Sequence, residues 1–273
     1  MKVYLSVDME GITGLPDYTY VSSNEKNYER GRLIMTQEAN AVIEAAFEAG
    51  ATEVLVNDSH SKMNNIVIEE LHPDALLITG DVKPFSMVQG LDSTFDAAIF
   101  LGYHARAGQK GVMSHAMTWG VRNMWVDDEV VGELGLNAMV AGYFGVPVVM
   151  VGGDDCAAAE AKALISGVKT AAVKETISRS AVKSLTPAKA HALLKETAAD
   201  ALNDIQAKPL IASDAPVFKI EFTNYGMAEW ANLMPGTEIE PDTCIVTFRA
   251  KNILEAYQAM LVMTELAMRT SFC

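Results

Sequence analysis

Asp8 and Glu10 stand two residues apart, just after the short apolar run Val3-Tyr4-Leu5-Ser6-Val7 and just before Gly11. The run predicts a buried strand. Strand side chains alternate, so the two carboxylates are expected to point the same way, about 6–7 Å apart along the chain. Gly11 is expected to end the element and let the backbone turn sharply. Two acids side by side at the end of a buried strand repel each other, and a metal ion is the usual offset. The remaining ligands then have to come from elsewhere in the chain.

Five histidines are available: His60, His72, His104, His115 and His191. His60 follows Glu53-Val54-Leu55-Val56-Asn57 and His104 follows Ala97-Ala98-Ile99-Phe100-Leu101-Gly102, both of which read as buried strands. In an open α/β sheet, ligands bind outside the carboxyl ends of the strands. Asp8, Glu10, His60 and His104 are therefore expected to meet at one edge. Glu133, in the first turn of a helix that follows a hairpin, is a fifth candidate. Carboxylate and imidazole without sulfur suit zinc or another first-row divalent ion at a catalytic site. Each residue alone has a plainer reading as a turn acid, a cap or a bonded loop histidine. Glu133 alone is a favourable charge at a helix N-terminus. It is the convergence that favours metal. His72, before Pro73, and His191, among helix alanines, read as structural. Lys62 and Lys83 read as solvated loop lysines. No GxGxxG follows the first strand, and there is no Walker loop or GxSxG.

The elements that must position these residues alternate. A helical stripe, Met35, Ala39, Val42, Ala46, Ala49, follows a long polar loop and ends at Gly50. Asp127-Asp128 joins two strand-like runs in a hairpin. Leu136, Met139, Val140 and Tyr143 mark one face of the helix that Glu133 opens. Val146 to Val151 is another strand, and Asp154-Asp155 opens an Ala-rich helix. This order predicts an α/β fold: a three-layer sandwich with a mostly parallel sheet, mixed because of the hairpin. From Thr186-Pro187 onward the pattern predicts a smaller α+β unit. The expected division is a metal-binding domain over 1–185 and the smaller unit over 186–273.

With 273 residues, half of them hydrophobic, the chain has material for a sizeable core. Lys plus Arg is 21 against 35 for Asp plus Glu, a net charge of −14. That charge argues against nucleic acid and an anionic membrane surface as partners. Three cysteines, Cys156, Cys244 and Cys273, are an odd number without a CxxC pair. They read as inert core or tail residues in a reducing compartment. The apolar run at the N-terminus is too short for a signal peptide. Met139 to Val151, broken by Gly142, Gly145 and Pro147, falls short of the ~20 residues of a membrane helix. A cytoplasmic protein is expected.

Five segments then resemble one family: Ser6-Val7-Asp8-Met9-Glu10-Gly11, Asn57-Asp58-Ser59-His60, Leu101-Gly102-Tyr103-His104, Met113-Ser114-His115 and Gly132-Glu133-Leu134-Gly135. They are similar to the hallmark segments of the zinc-dependent D-aminopeptidases of bacterial dipeptide-transport operons, the M55 peptidases. The likeness continues through Asn224-Tyr225-Gly226, Glu229 to Gly236 and Met263 to Thr270, and so covers essentially the whole chain. It implies two zinc ions per chain held by Asp8, Glu10, His60, His104 and Glu133, with His115 acting in catalysis. It implies hydrolysis of N-terminal D-amino acids, such as D-Ala, from short peptides by a zinc-activated water. It also implies a ring-shaped homo-oligomer around an inner chamber, a decamer being one ring size. The segment 224–236, with Tyr225, Trp230 and Met234 among polar residues, is a candidate interface. The same ligands serve a two-metal amidase or phosphohydrolase, and a peptide-binding protein with a structural metal is the non-enzymatic alternative.

Overall fold

The computed structural model describes residues 1–270, so Cys273 lies outside the described residues. The chain runs β1 (Lys2–Val7), α1 (Tyr28–Glu48), β2 (Glu53–Asp58), β3 (Leu76–Ile78), β4 (Ala97–Tyr103), β5 (Val121–Val126), β6 (Glu129–Val131) and α2 (Glu133–Tyr143). It continues through β7 (Val148–Asp154), α3 (Asp155–Leu164), β8 (Lys169–Ser178), β9 (Ala181–Ser184), α4 (Pro187–Asn203) and β10 (Val217–Phe222). It closes with α5 (Tyr225–Ala231), β11 (Thr237–Ile239), β12 (Ile245–Arg249) and α6 (Ile253–Ala267).

Seven strands form the main sheet in the order β3-β2-β1-β4-β7-β8-β9. All neighbours in it are parallel except β8 and β9. Alternation sends Val3, Leu5 and Val7 of β1 to one face and Tyr4 to the other; on β4, Ile99 and Leu101 join the first face and Phe100 the second. The first face is covered by α1 and α4, which pack on each other. The second is covered by α2 and α3. Helices on both faces of a largely parallel sheet make the expected three-layer α/β sandwich.

The reason the main sheet is mixed differs from expectation. The hairpin β5–β6 is not in it. It joins a second, antiparallel sheet of order β11-β12-β10-β5-β6, with Phe218 opposite Val126 and Ile220 opposite Met124. The antiparallel member of the main sheet is β9, and neither β8 nor β9 stood out in the sequence. Their pattern is weak as a hydrophobic signal, because only Ala171 and Val173 are apolar and buried on β8, while the inward positions after them are the polar Lys174 and Thr176. A cut at residue 185 therefore separates α4 from α1, on which it packs, and β5–β6 from β10, with which they pair. The second sheet shares its core with α2, α5 and α6.

Gly11 lies in a turn after β1, as expected, with Ile12 N donating to Met9 O at 3.1 Å, and it has a second role. A Cβ there would collide with the main-chain oxygen of Tyr103, and a Cβ at Gly102 would collide with that of Asp8. The ends of β1 and β4 are pressed together, with Asp8 N donating to Leu101 O at 2.8 Å and Gly11 N to Gly102 O at 2.7 Å. Gly102 also sits at φ +73°, where a side chain would be strained. This close approach brings the residues after the two strands into one site.

Candidate metal centre

Asp8 and Glu10 leave the end of β1, His60 follows β2, His104 follows β4, and Glu133 begins α2. All five are at least nine-tenths buried and all meet at the carboxyl edge of the sheet. Asp8 divides the cluster. On one side its Oδ1 lies 3.2 Å from His60 Nδ1, which also lies 3.0 Å from Glu10 Oε2. On the other its Oδ2 lies 3.5 Å from His104 Nε2, which is 3.3 Å from Glu133 Oε2. Each carboxylate oxygen of Asp8 thus faces its own imidazole, each imidazole with a second carboxylate beside it.

His115 belongs to the same cluster. Its Nε2 lies 3.7 Å from Glu133 Oε1, and its ring stacks on His104 with centroids 4.2 Å apart. It comes from a loop rather than a strand end. Met113 at φ +48° and Met117 at φ +59° flank it in a backbone region that non-glycine residues rarely occupy. Such strain persists where surrounding structure over-determines it. Here one restraint is the bond from Met117 N to Glu133 Oε1, at 2.5 Å.

The donor set fits divalent metal. His60 Nε2 lies 2.8 Å from the Val21 carbonyl, His104 Nδ1 3.0 Å from Ala105 O, and His115 Nδ1 2.9 Å from Met113 O. A neutral imidazole donating its one N–H there presents its bare nitrogen to the site, as metal-binding histidines do. Asp8 Oδ2, Glu10 Oε2 and His104 Nε2 are buried without a hydrogen-bond partner. Ligand atoms of Asp8, Glu10 and His104 lie within 4.8 Å of one another, as do those of His104, His115 and Glu133.

Charge makes the same point. Burial first, and then the Glu10 carboxylate beside it, raise the Asp8 carboxyl to about 7. Burial also pushes up Glu10 and Glu133, but the neighbouring imidazoles outweigh it and hold both acids low. Burial lowers His60 and His104, yet Glu10 and Glu133 raise both well above their ordinary range. The protein alone thus keeps protons on two imidazoles to balance three carboxylates. A metal cation would supply that positive charge and displace those protons. His115 runs the other way: burial lowers it, and His104 lowers it further.

Several residues support the cluster in ways that local sequence does not reveal. Lys174, on β8, is 2% exposed. Its Nζ donates to the carbonyls of Glu10 at 2.5 Å, Ile12 at 2.8 Å and Leu15 at 2.7 Å. Burial lowers it to about 8. Its clue was a lysine inside the run Ala171-Ala172-Val173-Lys174. Lys83 is likewise buried, not solvated: its Nζ donates to Asn57 Oδ1 at 2.6 Å and Asp58 O at 2.5 Å. Asp58 accepts Asn65 N and Ile66 N and so closes the loop that carries His60. Ser6 Oγ lies 2.8 Å from both Ser59 Oγ and Tyr103 OH, and Asn137 Nδ2 donates to Tyr103 OH at 2.8 Å. Ser59 and Tyr103 directly precede His60 and His104, Ser6 stands two residues before Asp8, and Asn137 lies one helical turn after Glu133. His72 stacks on Phe47 and His191 lies on α4, both outside the cluster.

With this geometry in place, comparison with known proteins decides the family. A family model described as D-aminopeptidase, the M55 peptidases, matches residues 1–262. The chain belongs to that family. A curated D-aminopeptidase of Bacillus subtilis (strain 168) is 69% identical over 274 residues, which cover 100% of both chains. A solved structure described as a "Zn-dependent D-aminopeptidase DppA from Bacillus subtilis, a self-compartmentalizing protease" superposes with a TM-score of 0.99. It too is 69% identical and matches over 100% of each chain. The M55 chain described here therefore shares the fold of that relative along its whole length. None of its described helices is long and apolar enough to cross a membrane.

Proposed function

We infer that this chain is a zinc-dependent D-aminopeptidase that removes N-terminal D-residues from short peptides. The observation that carries the chemistry is the division of the cluster about Asp8, in a chain that matches a D-aminopeptidase from end to end. In this reading Asp8, Glu10, His60, His104 and Glu133 would hold two zinc ions. Zinc held there supplies a Lewis acid for the scissile carbonyl and lowers the pKa of a water toward neutrality.

The side chains do the rest. The Val21, Ala105 and Met113 carbonyls fix the three imidazoles in one orientation. His115 acts in catalysis: with Nδ1–H donating to Met113 O, its Nε2 is free to take or give a proton beside Glu133. Burial keeps it below its ordinary pKa, so it is neutral and able to accept that proton near pH 7.

The assembly we propose is a closed ring of this chain, with ten copies as its size. The self-compartmentalizing relative supports it, as do Tyr225, Trp230 and Leu233, which expose 52%, 41% and 65% of their surface on or next to α5. Free Cys156 and Cys244 support a cytoplasmic location. The test is zinc content together with cleavage of D-Ala-D-Ala, its L-isomer and a phosphate ester. About two zinc ions and cleavage of the D-peptide alone are expected. Preference for the ester would make the chain a phosphohydrolase, and tight peptide binding without turnover would make it a binding protein.

A further inference from the structure

Beside His115 opens a cavity of about 340 Å³, lined among others by Gln109, Ser114, Trp119, Arg122 and Arg179. One side of this region is the carboxylate cluster. The other carries two guanidinium groups in a chain whose net charge is −14. Arg122 is engaged by Glu221 at 3.5 Å. Arg179 has no carboxylate partner among the described residues; its guanidinium lies over the Trp119 ring, 4.9 Å from the centroid. Stacking of this kind fixes the plane of the guanidinium and leaves its N–H edge free for an anion.

Arg179 is also tied to the catalytic loop. Its carbonyl accepts Met113 N at 2.9 Å, and Met113 O in turn accepts His115 Nδ1. Trp119 stands between the two, 4.5 Å from the His115 ring. His104, His115, Trp119 and Arg179 therefore form a continuous stack from a metal-ligand candidate to an uncommitted cation. The His115–Trp119 and Trp119–Arg179 separations together keep the guanidinium within about 10 Å of the His115 ring, a reach of no more than two to three extended residues.

We propose that Arg179 is a specificity-determining residue that binds the free C-terminal carboxylate of short peptides, about three residues long, in the cavity beside His115. The site then meets a short peptide with the metal-ligand cluster at its amino end and a guanidinium at its carboxyl end, and a paired Arg–carboxylate contact reads its length. This proposal rests on the aminopeptidase reading above.

The experiment compares D-Ala-L-Ala-L-Ala with its C-terminal amide on zinc-loaded enzyme, wild type, R179Q and R179K. Binding of the leaving dipeptide L-Ala-L-Ala and of its amide is measured by isothermal titration on the same preparations. The wild type should favour the free acid by about 10–100-fold in kcat/KM, mostly through KM, and show the same preference in binding. R179Q should bring both ratios to within about twofold, and R179K should keep an intermediate ratio, as a point charge without the fork. A wild-type ratio near one, or a ratio that survives in R179Q, would overturn the proposal. Failure to cleave either tripeptide would overturn the aminopeptidase reading, and the binding ratios would then decide Arg179 by themselves.

Discussion

Lys174 holds the loop of Glu10 from behind: its buried Nζ lies 2.5 Å from the Glu10 carbonyl oxygen, with all three of its protons given to main-chain oxygens of residues 10, 12 and 15. A lysine fully withdrawn from water is costly unless its donors are all satisfied. Here they are, and the acceptors are the backbone that aims a metal-ligand candidate. Lys174→Met keeps the volume and removes the donor from all three carbonyls, leaving Glu10 O and Leu15 O unbonded and Ile12 O with only the long bond from Leu15 N at 3.4 Å. It should cost roughly 3 kcal/mol or more in stability. Zinc affinity should fall with it, although no ligand has been touched. Denaturant titration and zinc equilibrium dialysis on the variant check both.

Asp8 is the one carboxylate with an oxygen on each side of the cluster. Asp8→Asn replaces one of those oxygens by an NH₂ group that cannot take a metal. Bound zinc should fall from about two per chain to well below one, whereas Glu10→Gln should lose chiefly one ion. His191→Ala should keep the wild-type content. Elemental analysis of the purified variants reads all three.

His115→Ala should lower turnover about 10²–10⁴-fold, the usual span for a general acid or base. Zinc content should match the wild type. His115 Nε2 lies 3.7 Å from Glu133 Oε1, and His115, His104 and Glu133 offer ligand atoms within 4.8 Å of one another, close enough to ligate, so this pairing of measurements is decisive. Loss of zinc would make it a ligand, and unchanged turnover would make it structural.

Glu38 on α1 accepts Thr13 N at 3.0 Å, while its other oxygen is buried without a partner. Burial raises it from 4.5 to about 7. The unfolded chain ionises first, so stability from this group falls as pH rises from 4.5 toward 7 and the cost is fully present above that. Glu38→Gln should therefore stabilise the protein near pH 8 by up to ~3 kcal/mol and change it little at pH 4. The difference between wild-type and variant denaturation midpoints across that range is the measurement. A constant difference would show that Glu38 does not titrate in this window.

The positions of Asp8, Glu10, His60, His104 and Glu133 were legible because strand ends leave a local mark: an apolar β-branched run followed at once by a residue able to bind metal. Histidine spacing and helix starts carried the rest. What is non-local was not legible. Nothing near Lys174 reveals that the loop of residues 10–15 folds over it. Lys83 looks like any loop lysine until Asn57 and Asp58 close on it. Gly11 reads as a turn, which it is, but nothing near it in the chain shows its contact with the end of β4. The hairpin β5–β6 was found as a hairpin, but its sheet was assigned wrongly, because its pairing partner β10 lies some ninety residues later in the chain.

The lysine behind Glu10 has a consequence for the order in which the molecule comes together during synthesis. The five candidate ligands are all present once residue 133 has been made, yet the ammonium that fixes the loop of Glu10 arrives with β8, and the strand that completes the β5–β6 sheet comes later still. Non-local pairing of this kind is slow to form and depends on late-arriving chain. Zinc therefore rewards the finished fold by mass action instead of seeding it. A nascent chain stalled before β8 would own every ligand and still lack the arrangement, which pulse proteolysis of stalled chains with and without zinc would read directly.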